Sequence, residues 1–248
     1  MDYSPLPENA QFPRWQDRLR AVIEVLLLSG ILSSFTTTLV FSAIYGKNAN
    51  LLSMNAIIVA SFILMEAGIL LLLLVFILKI NNEAITGLGL HWRRWKFNLL
   101  LGLGLVPCFF FINGIAALIF KIYLPEYYTE QNPLVEIIQT PEQLALFIFS
   151  ALIAGGIKEE LQRAFILNRF RHYLGGAWVG LVIWSLAFGA GHYVQGVQGI
   201  AIASLYGFVF GITYILSGSL IAPIVAHGVY DTLALLAYWF IAKSNPFA

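Results

Sequence analysis

Apolar residues in this chain neither alternate nor recur on one helical stripe. They run on in long blocks near residues 21 to 45, 51 to 79, 98 to 120, 143 to 168, 176 to 194, 198 to 217 and 219 to 242. A helix rises about 1.5 Å per residue and a bilayer's hydrocarbon core is about 30 Å thick, so about 20 apolar residues suffice to cross it. Continuous blocks also argue against a spanning barrel, whose strands alternate. The pattern predicts an all-α polytopic transmembrane bundle of about seven to eight spans. The last two blocks are parted only by Ser217-Gly218-Ser219, which fits either a tight turn or a kink. The first block follows Arg14, Arg18 and Arg20 and is much longer than a signal-peptide core, so it is expected to be a retained span.

Composition agrees: 59% of the 248 residues are hydrophobic and 11% are charged. A soluble domain has about 45–50% and about 25%. A net charge of +1 gives no basic field, which argues against a nucleic-acid partner. The single cysteine, Cys108, excludes an internal disulfide framework and a cysteine-based metal cage. We divide the chain into an amino-terminal arm at 1–20, helices and a loop at 21–142, and a helical core at 143–242. The arm, with Pro5, Pro7 and Pro13, is expected to be irregular, leading to an interfacial turn. His91-Trp92-Arg93-Arg94-Trp95-Lys96 suits the headgroup layer as an interfacial anchor, and residues 122–142 have the prolines and acids of an extramembrane loop.

Basic residues set the orientation. Arg14, Arg18 and Arg20, then Lys79, Arg93, Arg94 and Lys96, then Arg169 and Arg171 all fall on one side if the spans alternate. That side, with the amino terminus, is expected to be cytoplasmic, leaving Lys47, Lys121 and Lys243 opposite.

Ionisable residues within spans are costly and mark a bundle interior or a wet cavity. Glu24 lies one turn from Arg20 and is expected to pair with it, whereas Glu66 has no partner nearby in sequence and reads as a helix-packing residue or as a group that supports the site from behind, with packing favoured. The densest cluster is Lys158-Glu159-Glu160-Leu161-Gln162-Arg163. Arg163 can pair with Glu159, four positions back, or with Glu160, three back. One carboxylate would then be held ionised while the other took a proton from water. A packing ion pair needs only one acid, so the second argues for function. His192 ends the small-residue run Gly189-Ala190-Gly191, and His227 and Asp231 share a helix face, so Asp231 can orient His227. Together these groups could activate a water and stabilise an oxyanion, which makes hydrolysis within the membrane the leading hypothesis. A proton-coupled carrier is a further rival and ranks third, since it would show paired broken helices in both halves of the chain.

Three elements of the carboxyl-terminal half, Glu159-Glu160 with Arg163, Phe188-x-x-x-His192 and His227-x-x-x-Asp231, resemble the motifs of the CAAX-type intramembrane proteases, also called the CPBP or Abi family. The likeness covers roughly residues 143–240. The first motif departs from the family's Glu-Glu-x-x-x-Arg by one intervening residue. Aligning the glutamates displaces Arg163 by about 100° around its helix, whereas aligning the arginine puts Lys158 where the first glutamate stands. The resemblance implies that a glutamate, Glu159 in the first alignment, works with His192 to deprotonate a water that attacks a peptide carbonyl, while His227 and Asp231 face the oxyanion. It also implies a hydrophobic or prenylated peptide substrate in a membrane lipid setting, expected to be a bacterial plasma membrane. Two histidines and a carboxylate are compatible with a divalent metal such as zinc, although no His-Glu-x-x-His helix is present. The altered first motif keeps open the alternative of a membrane scaffold or immunity protein that has lost the catalyst.

Overall fold

The structure, a computed structural model, describes residues 13–46, 53–130 and 132–242. Pro5, Pro7, Lys47 and Lys243 lie outside the described residues. The described residues are helical, with no strand among them. In order they form α1 (Trp15–Leu28), α2 (Ile31–Tyr45), α3 (Ala56–Ile80), α4 (Trp95–Tyr123), the single turn α5 (Pro133–Glu136), α6 (Pro141–Ala151), a π-helical segment (Leu152–Glu159), α7 (Glu160–Tyr173), α8 (Ala177–Gly191), α9 (Gly196–Ser217) and α10 (Ile221–Ala242).

Among the described residues, five stretches are long and apolar enough to cross a membrane: Trp15–Tyr45, Ala56–Ile80, Trp95–Tyr123, Tyr193–Ser217 and Ile221–Ile241. α8 is apolar but shorter. The column from Pro141 to Tyr173 carries Lys158, Glu159, Glu160 and Arg163 on consecutive turns, which lowers its hydropathy. The chain is thus a polytopic helical membrane protein, as the apolar blocks predict.

Two departures from the hydropathy pattern, and one alternative it left open, have local causes. Helix begins at Trp15, inside the arm expected to be irregular, with Asp17 in its first turn bound to Arg14 at 3.2 Å. The first apolar block is broken after Leu28: Gly30, at φ +92°, separates α1 from α2, and Gln162 Nε2 donates to the Leu28 carbonyl at 2.6 Å. Ser217-Gly218-Ser219 is a tight turn, with Gly218 at φ +63° and the Ile221 amide donating to Ser219 Oγ at 3.2 Å.

The site-bearing column starts at a capping box: Thr140 Oγ1 accepts from the Gln143 amide, Gln143 Oε1 accepts from the Thr140 amide, and Pro141 occupies the first turn. α8 packs extensively on α9 through glycines. A Cβ on Gly207 would lie 3.1 Å from Phe188, and one on Gly211 or Gly189 would overlap the facing helix. The connection from α7 to α8 uses Gly175 (φ +99°) and Gly176 (φ +104°), whose amide donates to the Phe170 carbonyl at 2.9 Å.

Candidate functional site

The π-helical segment delivers two carboxylates and a lysine. Its wider turn runs from Leu152 to Glu159, immediately before Glu160 opens α7. Gly155 and Gly156 lie inside it and let α10 approach. A Cβ on Gly155 would stand 2.7 Å from Asp231 Oδ2 and 3.2 Å from His227 Nε2.

Of the two partners the sequence allows Arg163, the structure pairs it with Glu160, three positions back. Both side chains are almost fully buried. The guanidinium also lies over the Phe188 ring at 4.7 Å and faces Phe210 at 5.3 Å, so two aromatic faces and one carboxylate hold its charge. Glu160 Oε1 also meets His227 Nδ1 at 2.8 Å, while Glu160 Oε2 finds no hydrogen-bond partner among the described residues. Glu160 is therefore a fixed, fully enclosed anion between a cation and an imidazole.

Glu159 differs in every respect. Its side chain keeps 18% of its exposure whereas that of Glu160 keeps none, so Glu159 is the carboxylate that a solvent molecule can reach. Glu159 Oε1 lies 3.6 Å from Lys158 Nζ, and Oε2 lies 3.8 Å from His227 Nε2. Lys158 is itself buried and makes its shorter ion pair, 3.0 Å, with Glu66 of α3. Ser33 of α2 donates to the other Glu66 oxygen at 2.6 Å.

His227 is held by both ring nitrogens and a face. Nδ1 meets Glu160, Nε2 lies 3.5 Å from Asp231 Oδ2, and the ring stacks on Phe210 at 4.5 Å and 17°. With carboxylates on both sides, the ring that carries both N–H groups satisfies the site best. Asp231 was expected to orient His227. The structure gives the short contact at Nδ1 to Glu160, so Glu160 fixes the ring and Asp231 stands on the Nε2 side together with Glu159.

His192 follows the last residue of α8, where helix carbonyls lack intrahelical donors. Its Nδ1 lies 2.8 Å from the Phe188 carbonyl, and since a carbonyl only accepts, Nδ1 carries the proton and Nε2 is left as an acceptor. The Phe188 ring packs against His192 at 4.7 Å, so one residue seats both His192 and Arg163. Depth matches as well. α7 descends about 20 Å from Glu160 to Tyr173, and α8 climbs about 21 Å from Ala177 to Gly191, at about 1.5 Å per residue. His192 thereby comes within electrostatic reach of Glu159.

Residues that sequence reasoning left out of the site are Glu66, Gly155 and Phe210. Of the two sequence readings of Glu66, packing and support of the site, its ion pair with Lys158 favours the second. Its position deep in an apolar block was the available signal. Among the described residues, no three His, Cys, Asp or Glu side chains stand in an arrangement that would hold a metal ion.

No curated protein and no solved structure matches the chain. Residues 140–233, which contain Glu159, Glu160, Arg163, His192, His227 and Asp231, match the family model described as type II CAAX prenyl endopeptidase Rce1-like, and it is to that family that this part of the chain is similar.

Proposed function

We propose that the protein is an intramembrane endopeptidase that hydrolyses a peptide bond near the carboxyl terminus of a hydrophobic or prenylated substrate, using a water activated by Glu159. The observation that carries this reading is the division of labour between adjacent glutamates around one imidazole. Glu160 is enclosed and neutralised by Arg163, whereas Glu159 is partly exposed and has an oxygen free of any arginine. A general base needs access to water and a proton-accepting oxygen, and Glu159 has both.

In the reaction, Glu159 takes the proton of the attacking water, assisted by the unprotonated Nε2 of His192. The water oxygen bonds to the peptide carbonyl carbon. The His227 Nε2–H, aimed by Glu160 at Nδ1, faces the oxyanion that develops. Collapse of the tetrahedral species breaks the C–N bond, and the proton held by Glu159 passes to the departing amine. Asp231 lies beside Nε2 and favours the protonated ring. No covalent intermediate is required. The setting we propose is a bacterial plasma membrane with the amino terminus in the cytoplasm, because the arginine clusters at 14–20, 93–94 and 169–171 then share the inner side.

The test is cleavage of a farnesylated, internally quenched peptide ending in Cys-aliphatic-aliphatic-X by purified protein in lipid nanodiscs. Wild type is expected to release the last three residues. Glu159→Gln and His192→Ala are expected to lose at least about 100-fold in kcat, the upper part of the usual range for a positioned acid or base. Full activity in Glu159→Gln would overturn the assignment. Lack of cleavage by folded wild-type protein, on this peptide and on an unprenylated hydrophobic one, would favour a catalytically silent scaffold.

A further inference from the structure

Residues 140–233 are the matched segment, yet the ion pair nearest to Glu159 is completed from outside it. Glu66 lies in the interior of α3, and its two oxygens are taken by Ser33 of α2 at 2.6 Å and by Lys158 at 3.0 Å. Lys158 Nζ is 3.6 Å from Glu159, so it sits between two carboxylates and closer to the one on α3. An isolated lysine beside Glu159 would give that carboxylate its full attraction and make it a poor base. A second anion drawing the ammonium away weakens that hold while keeping the lysine charged in apolar surroundings.

We infer that Lys158 and Glu66 act as a positioning pair for Glu159: Lys158 fixes the carboxylate through one oxygen, leaving the other toward His227, and Glu66 limits how strongly it does so. The amino-terminal helices are thereby part of the hydrolytic site. The inference rests on the reading of Glu159 as the base. The charges that act on Glu159 are Lys158 and Arg163 from its own column, His192 at the end of α8, and His227 and Asp231 from α10, with Glu66 acting through Lys158. Lys158 and Glu66 are the members of this set whose pairing joins the two halves of the chain.

The experiment uses the full chain in nanodiscs and two readouts. The first is pH-titrated infrared spectroscopy of the carboxyl stretch on protein with isotope-labelled glutamate, the Glu159 band being assigned by its loss in Glu159→Gln. The second is the pH–rate profile on the farnesylated peptide. Lys158→Gln should move the Glu159 titration and the acidic limb of the rate profile to higher pH by about one unit, the usual effect of removing an adjacent opposite charge. Glu66→Gln should move both to lower pH, and Glu66→Asp should restore the wild-type position. The double variant Glu66→Gln/Lys158→Gln leaves no buried charge unpaired and guards against misfolding of the singles. It should titrate close to Lys158→Gln, because Glu66 acts through the lysine. A Glu159 titration unchanged in the folded single and double variants overturns the pairing role. Infrared shifts as expected with no cleavage by wild type would retain the pairing and overturn the protease reading.

Discussion

Gly155→Ala separates geometry from stability at this site. In the π-helical segment, the added Cβ would stand 2.7 Å from Asp231 Oδ2 and 3.2 Å from His227 Nε2, where ordinary contact begins at about 3.4 Å. Asp231 must therefore retreat by about 0.7 Å and the imidazole by about 0.2 Å. The aspartate is the free end of a flexible side chain and can yield. Alanine is favoured over glycine within a helix by up to about 1 kcal/mol, so thermal stability should stay within about 1 kcal/mol of wild type. Catalysis should not survive as well. A misplacement of about 1 Å costs up to about 100-fold, and 0.7 Å applied to the Nε2 side of His227 predicts a fall of about 10- to 100-fold in kcat, or about 1.4 to 2.7 kcal/mol of transition-state stabilisation. KM should change little, because the segment faces the reacting groups. The assay is steady-state cleavage of the quenched peptide alongside thermal unfolding in the same nanodiscs. Full kcat in a folded Gly155→Ala protein would refute the idea that Asp231 and His227 work from these positions. A loss of stability well beyond about 1 kcal/mol in Gly155→Ala would refute the packing argument.

Arg163→Ala should destabilise the bundle by about 3–5 kcal/mol, since it strands the enclosed Glu160 carboxylate, and Arg163→Ala/Glu160→Ala should recover part of that loss in thermal unfolding. Arg169→Ala should cost a similar amount, because its guanidinium is buried between Glu24 at 2.5 Å and Glu83 at 2.8 Å. Glu83→Gln, at a position with 35% exposure, should cost only about 0–1 kcal/mol. For topology, a Cys108→Ser background carrying Glu126→Cys should react with an impermeant maleimide applied to intact cells while one carrying Arg94→Cys should not, and the reverse pattern would invert the proposed orientation.

Hydropathy made the spans legible because desolvation acts on whole blocks, and most helices lie within a few residues of the apolar runs. The break at Gly30 was hidden because residues on both sides are apolar, and only the positive φ and the donation from Gln162 to Leu28 show that the helix stops. Spacing likewise placed His227 and Asp231 on one face but could not show that Glu160, 67 positions away, occupies the other ring nitrogen. A regular α-helix left both the Glu159–Arg163 and Glu160–Arg163 pairs open. A π-helical turn before Glu160 presents Glu159 and Glu160 on different sides, and such a turn has no periodicity to read in one sequence. The Lys158–Glu66 pair joins residues 92 positions apart, and only tertiary packing brings them together.

The buried contact of Glu24 with Arg169 bears on how the chain is made. Its partners are 145 residues apart, so during synthesis at about 5–20 residues per second the glutamate enters the bilayer about 7–30 s before its arginine exists. Arg20, one turn earlier and bound to the same carboxylate at 3.0 Å, is a companion available from the start. It can shield the charge at the membrane surface while the intervening helices insert. When α7 arrives, Arg169 takes the free oxygen and Asn81 donates to the one shared with Arg20, so the first helix is locked against the helix that carries Glu160 and Arg163 only after that helix has been synthesised.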